Sequence, residues 1–201
     1  MSKTYDRAYF DHWYRDGKAL RGARLDRKVA LAVATAEYHL ERPIRTVLDI
    51  GCGEGAWRAP LLKLRPQLDY LGFDSSEYAI RRFGARRNLH WARFSDFEHL
   101  RPCAPVDLLI CSDVLHYLGS RELDRGLQGL ADLCGGLAFL ECFSREDQVE
   151  GDSVGFMRRP ASFYRTRFAK AGFAQIGSHC WLAPTRIARA TALELAPKGQ
   201  P

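Results

Sequence analysis

The sequence predicts an α/β fold in which a mainly parallel sheet is covered by helices on both faces. Two observations lead to this prediction. Short apolar runs typical of buried strands alternate along the chain with segments of helical composition, the order that builds parallel sheets. A glycine-rich turn at residues 51–55 joins the first apolar run to the next helix. The 201 residues are enough for a substantial core, so residues 1–201 are predicted to form a single domain.

The composition narrows the class of protein. The formal net charge of +6 permits binding to nucleic acid or acidic substrates, but the arginines are spread over the chain without a dense tract, as on solvated helix faces. The six cysteines are scattered without a C-x-x-C pair, which indicates core thiols in a reducing cytoplasm and neither disulfides nor a metal site. No apolar run reaches the ~18 residues of a membrane span, and the first residues lack the apolar region of a signal peptide. We therefore expect a cytoplasmic protein with no metal and no membrane contact.

Residues 1–44 are predicted to form an N-terminal cap and a helix. Residues 1–22 interleave aromatic and charged side chains, which fits either an amphipathic helix packed on the domain or a lid over a bound ligand. In the second case Tyr9, Trp13 and Tyr14 are candidate contacts to an acceptor. An apolar stripe at helical spacing predicts a helix over 25–40.

Asp49 and the turn after it form the first candidate site. An apolar run predicts a buried strand over 46–50, and a helix over about 56–63 follows the turn. Free N–H groups and the helix dipole at such a turn attract a negative group of a ligand, and the glycines let that ligand lie close. Asp49, two residues before the turn, would repel a pyrophosphate and attract a ligand that also carries positive charge.

A second acidic residue, Asp74, ends the strand predicted over 68–73. It follows the glycine turn by about 20 residues, the separation at which a carboxylate binds the ribose hydroxyls of an adenosine ligand. The alternative is that Asp74, Ser75 and Ser76 cap the helix predicted over 77–87. The two roles are compatible.

The remaining elements follow from the same apolar patterns. Two helices are predicted, over 120–134, where Gly135 and Gly136 end the helix, and over 162–172. The strands are predicted over 89–94, 106–111, 137–143, 174–183 and 189–195, with a helix as the alternative for the last.

The pattern Asp49-x-Gly51-x-Gly53-x-Gly55, with a strand before it and Asp74 after it, resembles the first two motifs of class I S-adenosylmethionine-dependent methyltransferases. The resemblance covers residues 45–195 and leaves 196–201 as a tail. It implies a Rossmann-like three-layer sandwich with a mainly parallel seven-stranded sheet, the last strand antiparallel, behind an N-terminal helical cap.

The resemblance also implies the cofactor S-adenosyl-L-methionine and the product S-adenosyl-L-homocysteine. The glycines would approach the methionine portion, Asp49 its positive groups and Asp74 the ribose, while Asp96 and Phe97 would contact the adenine. The cofactor-binding residues implied in this way are Asp49, Gly51, Cys52, Gly53, Gly55, Asp74, Ser75, Asp96, Phe97, Ser112, Asp113 and Leu115.

The segment after the strand predicted over 106–111 resembles the part of these enzymes that faces the transferred methyl group. His116 in this segment is the candidate catalytic base, since the reference pKa of histidine lies near neutrality; the alternative is a packing histidine beside the cofactor. Tyr117, Glu141 and Phe156 are candidate acceptor contacts, the last in the long loop 144–160.

The reaction implied is direct displacement of the methyl group by an O, N or C atom of a small-molecule acceptor, in a monomer or homodimer. Three alternatives stay open. A nucleic-acid-directed methyltransferase is permitted by the charge, although no Pro-Pro-aromatic arrangement follows strand four. An NAD(P)-dependent oxidoreductase usually has a G-x-G-x-x-G turn, which differs from the spacing here. A non-enzymatic cofactor-binding protein is the third alternative.

Overall fold

A computed structural model describes residues 7–11, 22–148 and 152–197. The candidate acceptor contacts Trp13 and Tyr14 lie outside the described residues. The helices are α1 Arg7–Phe10, α2 Ala23–Leu40, α3 Arg58–Leu64, α4 Glu77–Arg87, α5 Ser120–Leu133 and α6 Ala161–Lys170. The strands are β1 Thr46–Ile50, β2 Asp69–Asp74, β3 Leu89–Trp91, β4 Val106–Ser112, β5 Cys134–Glu141, β6 Ala174–Gly177 and β7 Cys180–Leu182.

The seven strands form one sheet in the order β3-β2-β1-β4-β5-β7-β6. Strands β1 to β5 pair in parallel, and β7 is antiparallel to both of its neighbours. The predicted fold class, a mainly parallel seven-stranded sheet with its last strand antiparallel, is therefore confirmed.

The pleat of the central strands produces the two outer layers. Successive side chains point to opposite faces, so Leu48 and Leu109 pack in a core cluster with Leu123 of α5. Their neighbours Val47 and Leu108 pack in the other cluster, which includes residues of α2 and α3. The central strand β4 is buried along nearly its whole length because both of its faces are covered.

The predicted strand over 174–183 is instead a hairpin, and this is a correction. Strands β6 and β7 are joined through Ser178 and His179, whose φ angles are 48° and 62°. Two central residues with positive φ make the type of turn whose twist matches a hairpin. The predicted strand over 189–195 is wrong, because residues 187–189 form a short 3₁₀ turn and 190–195 form no strand.

Two further predictions change at the ends of α5 and β3. Gly135 and Gly136 do not end a helix outside the sheet; α5 runs directly into β5, which contains both glycines. A side chain on Gly136 would lie 2.3 Å from the carbonyl oxygen of Asp107, so the glycine allows β4 and β5 to approach. Strand β3 is shorter than predicted, and a 3₁₀ turn over 94–98 follows it.

The composition led to expectations about the cysteines, membrane spans and metal sites, and the structure gives an observation on each. The six cysteines are free thiols, and four of them are buried. Within residues 7–11, 22–148 and 152–197, no helix is long and apolar enough to cross a membrane. The same residues contain no group of three or more His, Cys, Asp or Glu that could hold a metal ion.

Candidate active site

The glycine turn lies at the carboxyl end of β1 and is hydrogen-bonded to β2. The backbone N–H groups of Gly51 and Cys52 both donate to the carbonyl oxygen of Phe73, at 2.7 and 3.0 Å. Gly51 has a φ of 75°, and a Cβ there would come within 2.4 Å of Val114 Cγ2. Glycine is thus needed at position 51 for two reasons: the backbone is left-handed there, and the segment after β4 approaches too closely for a side chain.

Asp49 is a buried carboxylate beside this turn. Its side chain is only 2% exposed, and Tyr70 Oη donates to Oδ2 at 2.7 Å. Burial raises the pKa of Asp49 to about 7; the Tyr70 hydrogen bond opposes the rise, and the charge of Asp74 adds to it. A group with this pKa takes or gives up a proton near neutrality, and a cation placed beside it would favour the ionised form.

Asp74 connects the end of β2 to the glycine turn. Its Oδ2 accepts from the Gly53 N–H at 2.7 Å, and its Oδ1 accepts from the Ser76 N–H at 2.8 Å. Burial raises the pKa of Asp74, and these backbone hydrogen bonds oppose the rise. The cap of α4 is made by Ser76, whose Oγ accepts from the Ala79 N–H at 3.2 Å. Of the three residues predicted as candidates for the cap of this helix, Ser76 makes it.

The predicted adenine contacts Asp96 and Phe97 lie in the 3₁₀ turn after β3. Asp96 closes its own 3₁₀ turn by accepting from the Arg93 N–H at 2.9 Å. Phe97 is fully buried and packs edge-on against Phe73, with 5.4 Å between ring centroids. Leu115 is also fully buried, in the same core cluster. Both side chains lie inside the protein core, and their contact with the cofactor stays a prediction.

Ser112 and Glu141 belong to a polar cluster at the carboxyl ends of β4 and β5. Glu141 is 6% exposed; Lys28 Nζ of α2 lies 2.7 Å from its Oε2, and the Ser112 hydroxyl donates to the same oxygen. Burial by itself would raise the pKa of Glu141, but the charge and hydrogen bond of Lys28 hold it below its usual value, helped by Ser112. The predicted acceptor contact Glu141 is thus engaged in an ion pair that links α2 to the sheet.

His116 lies in a 3₁₀ turn over 115–117, directly after β4. Its ring is fully buried, and its Nδ1 accepts from the Phe143 N–H at 3.3 Å. Its Nε2 lies 3.3 Å from Oδ1 of Asp113. The histidine is therefore close to the site, but its ring is enclosed by protein.

Residues 152–157 fold over this turn. The Tyr117 hydroxyl donates to the carbonyl oxygen of Asp152 at 2.7 Å, and the Met157 N–H donates to the carbonyl oxygen of His116 at 2.9 Å. The Phe156 ring lies 5.2 Å from the His116 ring. The structure thus brings together Tyr117, His116 and Phe156 of the predicted set, whereas Tyr9 lies half-buried in α1.

Sequence reasoning missed two residues of this site. Tyr70 is the second residue of β2 and has the pattern of an ordinary core aromatic; the β1–β2 register places it opposite Val47, two residues before Asp49. Lys28 sits on a helix whose pattern marks it as a solvent-facing position, and its partner is 113 residues away. Neither residue carries a local signal, because each partner is brought close only by the fold.

Comparisons with known proteins agree with this architecture. Residues 48–136 match a family model described as a methyltransferase domain. A trans-aconitate 2-methyltransferase from Azoarcus sp. (strain BH72) is 38% identical over 76 residues, which are 36% of this chain and 29% of that protein. The match thus spans less than a third of the length of the curated relative.

Two solved structures share the fold. The sugar N-methyltransferase KedS8 from Streptoalloteichus sp. ATCC 53650 has a TM-score of 0.64 at 18% identity, over 86% of this chain and 87% of that one. CalS10 from Micromonospora echinaspora, an amino pentose methyltransferase with bound S-adenosylmethionine, has a TM-score of 0.64 at 15% identity, over 91% and 99%. The family match confirms the predicted resemblance, and these structures confirm the predicted Rossmann-like architecture.

Proposed function

We propose that this chain, whose residues 48–136 belong to the methyltransferase domain family, transfers a methyl group from S-adenosylmethionine to an O, N or C atom of a small-molecule acceptor. The observation that carries the proposal is the buried carboxylate of Asp49 directly before the glycine turn. A carboxylate there repels a pyrophosphate and favours a cation, which separates this site from a dinucleotide site.

The residues present fit the cofactor. Asp49 supplies one negative charge for the ammonium and sulfonium, and its pKa of about 7 lets it ionise when a cation arrives. Asp74 uses one lone pair on each oxygen to hold the N–H groups of Gly53 and Ser76. The Ser75 N–H also bonds to this carboxylate, and since a carboxylate has about four acceptor positions, at least one remains for a ribose hydroxyl. When bound, the cofactor supplies an electrophilic methyl group with a neutral leaving group, so the protein's task is mainly alignment.

A small-molecule acceptor is supported by the relatives and by the cover over the site. The similar proteins are named for trans-aconitate, a sugar and an amino pentose. Residues 152–157 cover the turn that carries His116 and Tyr117, as expected for a site that encloses its substrate. We therefore favour a small acceptor over a nucleic acid.

Calorimetric titration of the purified protein with S-adenosylhomocysteine and, separately, with NADP tests the proposal. We expect binding of the first at micromolar concentration and no binding of the second. Asp74→Asn should weaken the affinity for S-adenosylhomocysteine by at least about tenfold, since the variant loses a charge-assisted acceptor. Asp132→Asn is the matched control, because Asp132 lies near the far end of α5 and pairs with Arg101. Preference for NADP, or equal affinity in both variants, would contradict the proposal.

A further inference from the structure

The ring of His116 cannot reach a bound acceptor. It is fully buried, and three aromatic rings enclose it: those of Tyr117, Phe156 and Phe143, with centroids 4.2, 5.2 and 5.4 Å away. A base must come within hydrogen-bonding distance of the proton that it takes. The enclosure therefore argues for a role of His116 through a neighbour.

That neighbour is Asp113. Because His116 Nδ1 accepts from the Phe143 N–H, the proton of the neutral ring belongs on Nε2. Nε2 lies 3.3 Å from Oδ1 of Asp113, within ion-pair distance. The histidine thus has one nitrogen bonded to the backbone of the segment after β5 and the other within ion-pair distance of a carboxylate. This arrangement sets the orientation of the carboxylate.

Asp113 immediately precedes Val114, the residue that lies against the glycine turn. Its side chain is 42% exposed, in contrast to the buried histidine. Its φ is 64°, a left-handed conformation that costs free energy in a residue other than glycine and that concentrates at functional sites. Its N–H donates to the carbonyl oxygen of Glu141 at 3.0 Å, and the next residue, Val114, lies against Gly51.

We propose that Asp113 accepts the proton of a hydroxyl or amine acceptor and that His116 is its positioning residue. The assignment rests on the proposed methyl transfer. The acceptor oxygen or nitrogen forms a bond to the methyl carbon while the carbon–sulfur bond breaks and leaves its electron pair on sulfur. The acceptor proton passes to the Asp113 carboxylate and then to water.

The proposal fixes the chemical class of the acceptor. A hydroxyl or an amine donates a hydrogen bond to Asp113, whereas the carboxylate of an acid would be repelled by it. The nearby cation Lys28 does not offset this repulsion, because it already pairs with Glu141. Polycarboxylates, which include the trans-aconitate of the relative's name, are therefore predicted to be poor acceptors.

The orientation of His116 is tested first, without any acceptor. In protein labelled with ¹⁵N and saturated with S-adenosylhomocysteine, long-range proton–nitrogen spectra report which ring nitrogen of His116 carries the proton. We expect the Nε2–H form, with a signal that shifts in Asp113→Asn and not in Asp132→Asn. The Nδ1–H form, or a signal unaffected by Asp113→Asn, would overturn the positioning role.

The class of the acceptor is tested by comparing turnover of two sets of compounds. The first set contains phenols, alcohols and amines, among them catechol, tyramine and glucosamine, and the second contains trans-aconitate and other polycarboxylates. Release of S-adenosylhomocysteine is the readout. We expect turnover of at least one hydroxyl or amine and none of the acids. Faster turnover of an acid, or no turnover of any hydroxyl or amine by protein that binds S-adenosylhomocysteine, would overturn the proposal. Failure to bind S-adenosylhomocysteine would instead refute the proposed function.

Variants then separate the two roles. Asp113→Asn should lower kcat, measured at saturating S-adenosylmethionine, by about 100-fold or more, the usual contribution of a general base. His116→Leu should lower kcat by roughly 10- to 100-fold through misplacement of Asp113. His116→Gln, whose amide can still donate to Asp113, should restore part of that loss. Equal inactivity of the two His116 variants, or full activity of Asp113→Asn, would overturn the assignment.

Discussion

The pKa of Asp49 leads to a quantitative prediction for cofactor binding. Burial holds this pKa at about 7, so about half of the protein carries an ionised Asp49 at about pH 7 and only about 3% at about pH 5.5. If only the ionised form binds the cationic ligand, the apparent dissociation constant rises about 15-fold between these values as pH falls. This is about 1.6 kcal/mol of binding free energy. Binding at low pH should also release close to one proton.

Calorimetric titration of S-adenosylmethionine in buffers of different ionisation enthalpy measures both the affinity and the proton release. Asp49→Asn keeps an acceptor for the Tyr70 hydroxyl but has no charge, so its affinity should be weak and lack this pH dependence. Any titration of Asp74 or of the ligand persists in that variant and is subtracted by the comparison. Tyr70→Phe should move the wild-type curve to higher pH, because the lost hydrogen bond had lowered the pKa of Asp49. A wild-type affinity that does not change between about pH 5.5 and 7 would refute the reasoning. An equal dependence of affinity on pH in Asp49→Asn would refute it as well.

Three further predictions concern folding stability, measured as the free energy of unfolding in urea. Gly51→Ala places a Cβ at left-handed φ and 2.4 Å from Val114, so it should cost about 2 kcal/mol or more, and adding Val114→Ala should recover the part due to the clash. Gly129→Ala improves helix propensity by ~1 kcal/mol, but its Cβ would lie 1.7 Å from a backbone oxygen, so we expect net destabilisation by ~1–3 kcal/mol; a gain would contradict the close packing of α5. Lys28→Met leaves the buried Glu141 carboxylate without its cation and should lower the free energy of unfolding by about 2 kcal/mol at neutral pH. The loss of stability should be smaller in acid, where Glu141 in the variant is protonated. A loss that does not depend on pH would show that the ion pair is not the cause.

Local sequence patterns were sufficient for most of the fold. The helix predicted over 77–87 has the observed bounds, since its last residue is followed by the left-handed Asn88 and its start has a serine cap. The hairpin over 174–182 was missed because its turn, Ser178 and His179, contains none of the Asn-Gly or Asp-Gly pairs that mark such turns. Because the sequence carries no such signal for the turn, the apolar residues on its two sides were interpreted as one continuous strand.

The site was predictable where it depends on spacing and not where it depends on distant contacts. Asp49 and Asp74 follow from their positions relative to the glycines, and the structure joins Asp74 to the turn through Gly53. The burial of Phe97 under α5 could not be predicted, because it requires the close approach that Gly126 and Gly129 permit. The pairing of Glu141 with a lysine 113 residues away has no local signal.

The most direct measurement is a crystal structure of the protein with S-adenosylhomocysteine. The account predicts the ligand at the carboxyl edge of the sheet, with its ammonium at hydrogen-bonding distance from Asp49 and its ribose hydroxyls on Asp74. A ligand bound elsewhere, or one that leaves both carboxylates without contact, would contradict the account.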